Sequence, residues 1–127
     1  QQGRTYRKDD VLELKKRQVV AEGRRGRLLI VKPPSDPARR KQVDRLVTAE
    51  NADRDQIIKS VLALSVDLAA GDEALVRDIF FRLQVRSSRA GDLVQKPDGR
   101  FEPLTARSLK ASKARDLKSN ATERGRP

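Results

Sequence analysis

The run Glu50-Asn51-Ala52-Asp53-Arg54-Asp55 gathers acids, a base and an amide where an apolar pattern should continue. Counting on from Val43, Leu46 and Val47, positions 50 and 54 belong to the same helical face, ahead of Ile57 and Ile58. Glu50 and Arg54 are four residues apart, within pairing reach on a helix. An ionised carboxylate on a dry face is tolerated only when paired or hydrogen-bonded. Asn51 stands beside them and can both donate and accept. The first reading is a buried polar clasp that fixes how a helical hairpin docks. The second is the border of a groove that receives a partner's backbone or a ligand's polar group. Catalysis ranks third, because these carboxylates have no His or Cys with which to build a relay.

The missing residue types narrow the chemistry further. Without His the chain lacks the side chain best suited to proton transfer near neutral pH and the commonest metal ligand. Without Cys it has no thiol nucleophile, thiolate zinc site or disulfide. There is no Ser-x-x-Lys, no phosphate-binding loop of the Walker type and no dinucleotide fingerprint. Asp53 with Asp55, and Asp72 with Glu73, read as solvated helix positions. The expectation is a protein that is not an enzyme, with no catalytic residues, no metal and no cofactor.

Charge sets the organisation. The 127 residues carry 29 Lys and Arg against 18 Asp and Glu, a net +11, and only 36% are hydrophobic. An ordinary domain reaches about 45–50% on a count that includes Gly, so the core should be modest. Residues 1–45 hold 14 basic and 6 acidic side chains, residues 46–85 hold 4 and 7, and residues 86–127 hold 11 and 5. A near-neutral middle between basic flanks predicts a folded heart with cationic ends. No apolar run approaches the roughly 20 residues of a membrane span. The chain opens on Gln1, which fits a mature form with its signal peptide removed, and fits a shortened chain equally.

The elements that must hold the cluster follow from spacing. Asp36-Pro37 is a helix start, an Asp cap before a Pro in the first turn. The apolar pattern then runs to Ala70, with Gly71 as its C-terminal cap. Asp72 is expected to cap a second helix with an apolar face of Leu75, Val76, Ile79, Phe80, Leu83 and Val85, widened by Phe81. Together these form a central helical hairpin. Upstream, Asp9 or Asp10 should cap a helix through Val11, Leu12, Leu14, Val19 and Val20, ended by Gly23. Leu28–Val31 reads as a β-like run stopped by Pro33-Pro34. Leu93–Lys96 and Arg100–Glu102 flank Pro97-Asp98-Gly99, a β-hairpin signal. Leu28–Val31 is expected to pair with one edge of that hairpin. The fold class is α+β, mainly helical: a central helical hairpin plus an N-terminal helix with a small antiparallel sheet. Residues 1–7 are expected to be flexible, 8–103 to form the domain, and 104–127 to be a basic flexible tail.

Leu46-Val47, Glu50-Asn51, Arg54, a helix, then Gly91-Asp92-Leu93-Val94-Gln95 and Asp98-Gly99-Arg100-Phe101 resemble the YdbL-like family. These are small exported bacterial proteins carried as a domain of unknown function. Gly23 and Gly26-Arg27-Leu28-Leu29-Ile30 are similar to the helix-ending Gly and Gly-Leu-Leu run of longer relatives. The resemblance spans roughly residues 8–103. Leu93 stands where the family usually has an aromatic residue, and Phe101 where it has Trp. The resemblance implies a periplasmic, non-enzymatic accessory or adaptor. Its implied partners are a large AsmA-like envelope protein and a small lipoprotein, in a bridge for phospholipid transport. The hairpin surface at Leu93, Gln95, Asp98, Gly99 and Phe101 is a candidate contact surface.

Basic residues raise the rival reading, nucleic-acid binding. Arg24, Arg25 and Arg27, the Arg39-Arg40-Lys41 run, and Arg107, Lys110 and Lys113 could face phosphates or an anionic lipid surface. Single-strand platforms need aromatic faces, however, and Tyr6, Phe80, Phe81 and Phe101 offer little stacking. Oligomeric state is not legible in the sequence.

Overall fold

The computed structural model describes residues 2–64 and 72–110, with side chains from residue 7 onward. Helix α1 spans Gln2–Lys16, strand β1 Val20–Glu22 and strand β2 Leu28–Ile30. Helix α2 covers Pro37–Leu64 and α3 covers Glu73–Arg86, followed by β3 Leu93–Gln95 and β4 Phe101–Pro103. A further helical stretch covers 106–110. The fold is α+β and mainly helical, as the spacing predicts.

The helical starts follow the local chemistry only in part. Asp36 caps α2, its Oδ2 accepting from the Arg39 N–H at 3.1 Å, with Pro37 as the first helical residue. Asp72 occupies the N-cap position of α3 but makes no side-chain capping bond. The expected run of α2 on to Ala70 and the cap at Gly71 lie outside the described residues. Helix α1 begins before residue 7, so the expected flexible segment 1–7 is helical from Gln2.

The largest correction falls at residues 18–22. The N-terminal helix does not run through Val20 to Gly23. It closes at Lys16 with Gln18 in the left-handed region (φ 60°), the Gln18 N–H donating to Lys15 O and the Val19 N–H to Leu14 O. The Gln18 side chain holds this end by donating to the Gly91 carbonyl at 2.9 Å. Freed from the helix, Val20–Glu22 becomes one of the two inner strands of a four-stranded sheet ordered β2-β1-β3-β4. Pairs β1/β2 and β3/β4 are antiparallel, but β1 and β3 are parallel, with Ala21 opposite Leu93 and Glu22 opposite Val94. The sheet is therefore mixed, and 28–31 does not meet the C-terminal hairpin directly because β1 lies between them.

That C-terminal hairpin forms where expected. Gly99 takes φ +88°, its N–H donates to Lys96 O at 2.8 Å, and Asp98 Oδ1 accepts from the Arg100 N–H at 3.0 Å. One apolar cluster joins Val11, Val20, Leu28, Val43 and Val47 between α1, α2 and the sheet. A second joins Phe81, Val94 and Leu104, with Val85 and Leu109 against it. The packed unit thus continues past residue 103: Leu104 is buried, and Leu109 leans on it from the stretch expected to be tail. Helix α3 also sits rotated from its expected face. Val76, Arg77 and Phe81 are buried, while Leu75, Ile79 and Leu83 face outward.

Candidate functional site

Glu50 and Arg54 are brought together as their spacing implies. Arg54 Nε donates to Glu50 Oε2 at 2.9 Å, on a stripe of α2 where Val43, Val47, Glu50, Arg54 and Ile58 are all buried. Arg54 is only 2% exposed, so its charge needs more than one partner. Glu22 of β1 supplies the rest. Its two carboxylate oxygens accept from Arg54 Nη1 at 2.7 Å and Nη2 at 3.1 Å, a fork-on-fork pairing. Nη1 also donates to the Gly26 carbonyl at 3.3 Å, and the guanidinium lies 5.7 Å above the Phe80 ring.

The network continues on both sides. Lys15 of α1, 3% exposed, places its Nζ 3.2 Å from Glu22 Oε2 and donates to Ser88 Oγ at 2.6 Å. The Ser88 hydroxyl in turn donates to the Gln84 carbonyl at 2.7 Å. Arg7 lies 3.5 Å from Glu50 Oε1 and bonds Asp53. Three cations, Arg7, Lys15 and Arg54, thus meet three carboxylates, Glu22, Glu50 and Asp53. Burial works against the Arg54 charge, but the bonds and charge of Glu22, then those of Glu50, leave its pKa raised above the ordinary guanidinium value.

Asn51 has a different task from the groove border expected of it. Its Oδ1 accepts from the Leu28 N–H at 2.8 Å and its Nδ2 donates to the Leu28 carbonyl at 3.1 Å. It thereby pairs with the outer edge of β2 as a neighbouring strand would, covering an exposed strand edge with one side chain.

The Arg24-Arg25-Gly26-Arg27 turn also departs from its phosphate-facing reading. Arg24 stacks 5.2 Å from the Phe81 ring centroid, and its N–H donates to Gln95 Oε1. Arg27 grips Asp55 with Nε at 3.0 Å and Nη2 at 2.8 Å, and Arg77 donates to both Asp55 Oδ1 and the Arg25 carbonyl at 3.1 Å. Of the three arginines, Arg25 keeps its side chain for solvent without a bond to the fold among those just described. Arg107 and Lys110 are exposed; Lys113 lies outside the described residues. On the hairpin, Leu93 is buried rather than a contact residue, Gln95 and Phe101 are half-buried, and Asp98 and Gly99 are exposed.

Asp55 permits a pH test. The Arg27 bond, with help from Arg77, holds its carboxyl below the ordinary value of 3.8 despite partial burial. A depressed folded pKa means the contribution is complete above the ordinary value and disappears as pH falls through the folded one. Asp55→Asn should therefore cost about 1 kcal/mol at neutral pH, with the difference from the parent closing below pH 3.8. Urea melts across an acid series measure it. A difference that stays constant to the lowest pH would contradict this assignment.

Above the ion network lies a half-open groove of about 870 Å³ between α1 and the C-terminal half of α3. Val11 and Leu12 make an apolar wall on α1, with Lys8 one turn before Leu12 on the same helix; Glu22, Glu50 and Arg54 make the floor, and Gln84, Ser87 and Arg89 the opposite lining. Lys8 and Arg89 are exposed. Glu22, Lys15, Gln84 and Ser88 escape the sequence reading; an alternating pattern across Val20-Ala21-Glu22 is the signal that would place Glu22 on the face of Val20. Among the described residues no group of three or more His, Cys, Asp or Glu is placed to hold a metal, and no helix is long and apolar enough to cross a membrane.

No family model, curated protein or solved structure matches the chain. The site must be read from its own geometry. Its acids and bases are spent on one another, so the floor is rigid and electrically closed. What remains available to a visitor is shape, an apolar wall and the cations Lys8 and Arg89.

Proposed function

We propose that the protein is a non-enzymatic accessory or adaptor of the YdbL-like type, working in the periplasm beside an AsmA-like envelope protein and a small lipoprotein. The observation that carries the binding-module part is the groove itself, with a floor of charges that neutralise each other beneath an open apolar wall. Such a floor, tied together by ion pairs from α1, β1 and α2, holds its shape for a partner segment. The envelope setting and the partners rest on the resemblance alone.

Photo-crosslinking from the groove, with the reactive group placed at Leu12 or Ser87, tests this reading in the native envelope. Recovery of an AsmA-like protein or a small lipoprotein from these positions, and not from the distant Asp98, supports it. Ribosomal or nucleoid proteins crosslinked from the groove would favour the nucleic-acid alternative and overturn it.

A further inference from the structure

The groove carries a charge surplus that its floor does not use. Its lining holds the cations Lys8, Lys15, Arg54 and Arg89 against two carboxylates, Glu22 and Glu50. Lys15 and Arg54 are taken up below by Glu22 and Glu50. Arg7 and Asp53, beside the floor, bond each other. The surplus therefore sits on Lys8 and Arg89, one on each side of the groove and both exposed. Neither side chain has a hydrogen bond or ion pair among the described residues.

The acids near this rim are turned elsewhere. Asp92 points its Oδ2 back at the Arg89 N–H at 2.9 Å, and Glu13 holds Arg17 at 2.8 Å. Leu12 and Lys15 fall within about 40° of Lys8 around α1, whereas Asp9 and Asp10 lie about 100° and 200° away. An anionic group set between Lys8 and Arg89 thus meets two free cations and no competing acid. An acyl chain is a poor occupant, because hydrocarbon laid over an ionic floor strips water from charges and returns no bond. A polypeptide suits the lining better: the Gln84 amide and the Ser87 hydroxyl can bond backbone N–H and C=O groups. From Lys8 to Lys15 the α1 wall is about 10 Å long, the reach of about three extended residues.

We infer that the groove takes a short acidic segment of a partner protein, with an apolar side chain against Leu12 and carboxylates toward Lys8 and Arg89. The inference rests on the groove being the partner site proposed above, and adds the chemistry of the partner. A contact this small with exposed ion pairs is weak and salt-sensitive, with a Kd of about 10 µM or more.

Fluorescence anisotropy of the full chain with labelled probe peptides tests it. The probes alternate leucine with aspartate, leucine with lysine, or serine with aspartate. At physiological ionic strength the leucine–aspartate peptide should bind at least about 10-fold more tightly than either of the others. The net positive charge alone would also favour aspartate, so two variants separate the groove from the rest of the surface. Lys8→Glu/Arg89→Glu should reverse the preference between the two leucine peptides. Lys32→Glu/Arg45→Glu, the same change of charge at exposed positions outside the groove lining, should preserve it. All four positions are exposed, so both variants should keep the parent's far-UV circular dichroism. Equal binding of the two leucine peptides by the parent overturns the inference. So does an equal response of the two variants, or a serine–aspartate peptide that binds as tightly as the leucine one. If it fails in one of these ways while crosslinks from Leu12 and Ser87 still recover an envelope protein, only the acidic partner falls and the adaptor reading stands. If no peptide binds and no crosslink forms, both fall together.

Discussion

Arg54→Ala should destabilise the protein by about 3–5 kcal/mol, the usual cost of removing one side of a buried ion pair. Native domains hold only about 5–15 kcal/mol in total, so the variant is expected to be partly unfolded at 37 °C. The loss has several parts. Glu22 would keep Lys15 as its cation but lose a two-pronged partner, Glu50 would keep only Arg7 at 3.5 Å, and the Gly26 carbonyl would lose a donor. Arg54→Lys should recover little of this. A single ammonium cannot serve both Glu22 oxygens, Glu50 and a carbonyl from one position.

Glu22→Ala should fall in the same range, because it removes the one carboxylate paired with Lys15 and the two-pronged partner of Arg54, cations that are 3% and 2% exposed. Glu50→Ala should cost less, since Arg54 keeps Glu22 in its absence. The double variant Glu22→Ala/Arg54→Ala should be less damaging than the sum of the singles, by about 0.5–3 kcal/mol, as expected for residues in direct contact. Urea titrations followed by circular dichroism give all five values. If Arg54→Ala unfolds at the parent's midpoint, the charges are not buried together and the closed floor of the groove disappears from the account.

This network shows where a single sequence is and is not informative. Asp36-Pro37, Asp98-Gly99 and the Glu50/Arg54 spacing each act over three or four residues, and the structure honours all three. Local chemistry decides them. Glu22 was hidden because its role depends on Gln18 adopting a left-handed turn, a conformation rare for non-glycine residues. What makes it tolerable is a bond to the Gly91 carbonyl, 73 residues away. Once the helix ends there, β1 forms, Glu22 turns toward Arg54, and the sheet becomes mixed rather than antiparallel. The face of α3 was ambiguous for a related reason. It has two apolar stripes, and periodicity reports a stripe without saying which one the core takes.

Alanine in the β1–β2 turn supplies the second large effect, because two glycines there leave no room for a side chain. A Cβ at position 23 would stand 2.7 Å from the Arg27 carbonyl oxygen and 2.9 Å from Leu29 Cδ1. That carbonyl accepts the Gly23 N–H at 2.8 Å, so relief means opening the bond that closes the turn. Crowding of this kind costs about 1–3 kcal/mol. Gly26 adds a second difficulty. It sits at φ +84°, where a side chain costs about 1–2 kcal/mol, and its Cβ would meet Phe80 Cδ1 at 3.0 Å. Phe80 also lies beneath the Arg54 guanidinium, and the Gly26 carbonyl is one of that guanidinium's acceptors. A shift at Gly26 is therefore passed to the buried charges. Gly99 is the control: φ is +88° but nothing lies within 4 Å of its Cβ position, so Gly99→Ala bears the backbone term alone. Gly26→Ala should thus unfold at lower urea than Gly99→Ala, and should speed amide exchange at Leu28, whose N–H is held by Asn51. Equal losses from Gly26→Ala and Gly99→Ala would show that the turn does not rest on Phe80, and would detach it from the charge network that it touches through Phe80 and the Gly26 carbonyl.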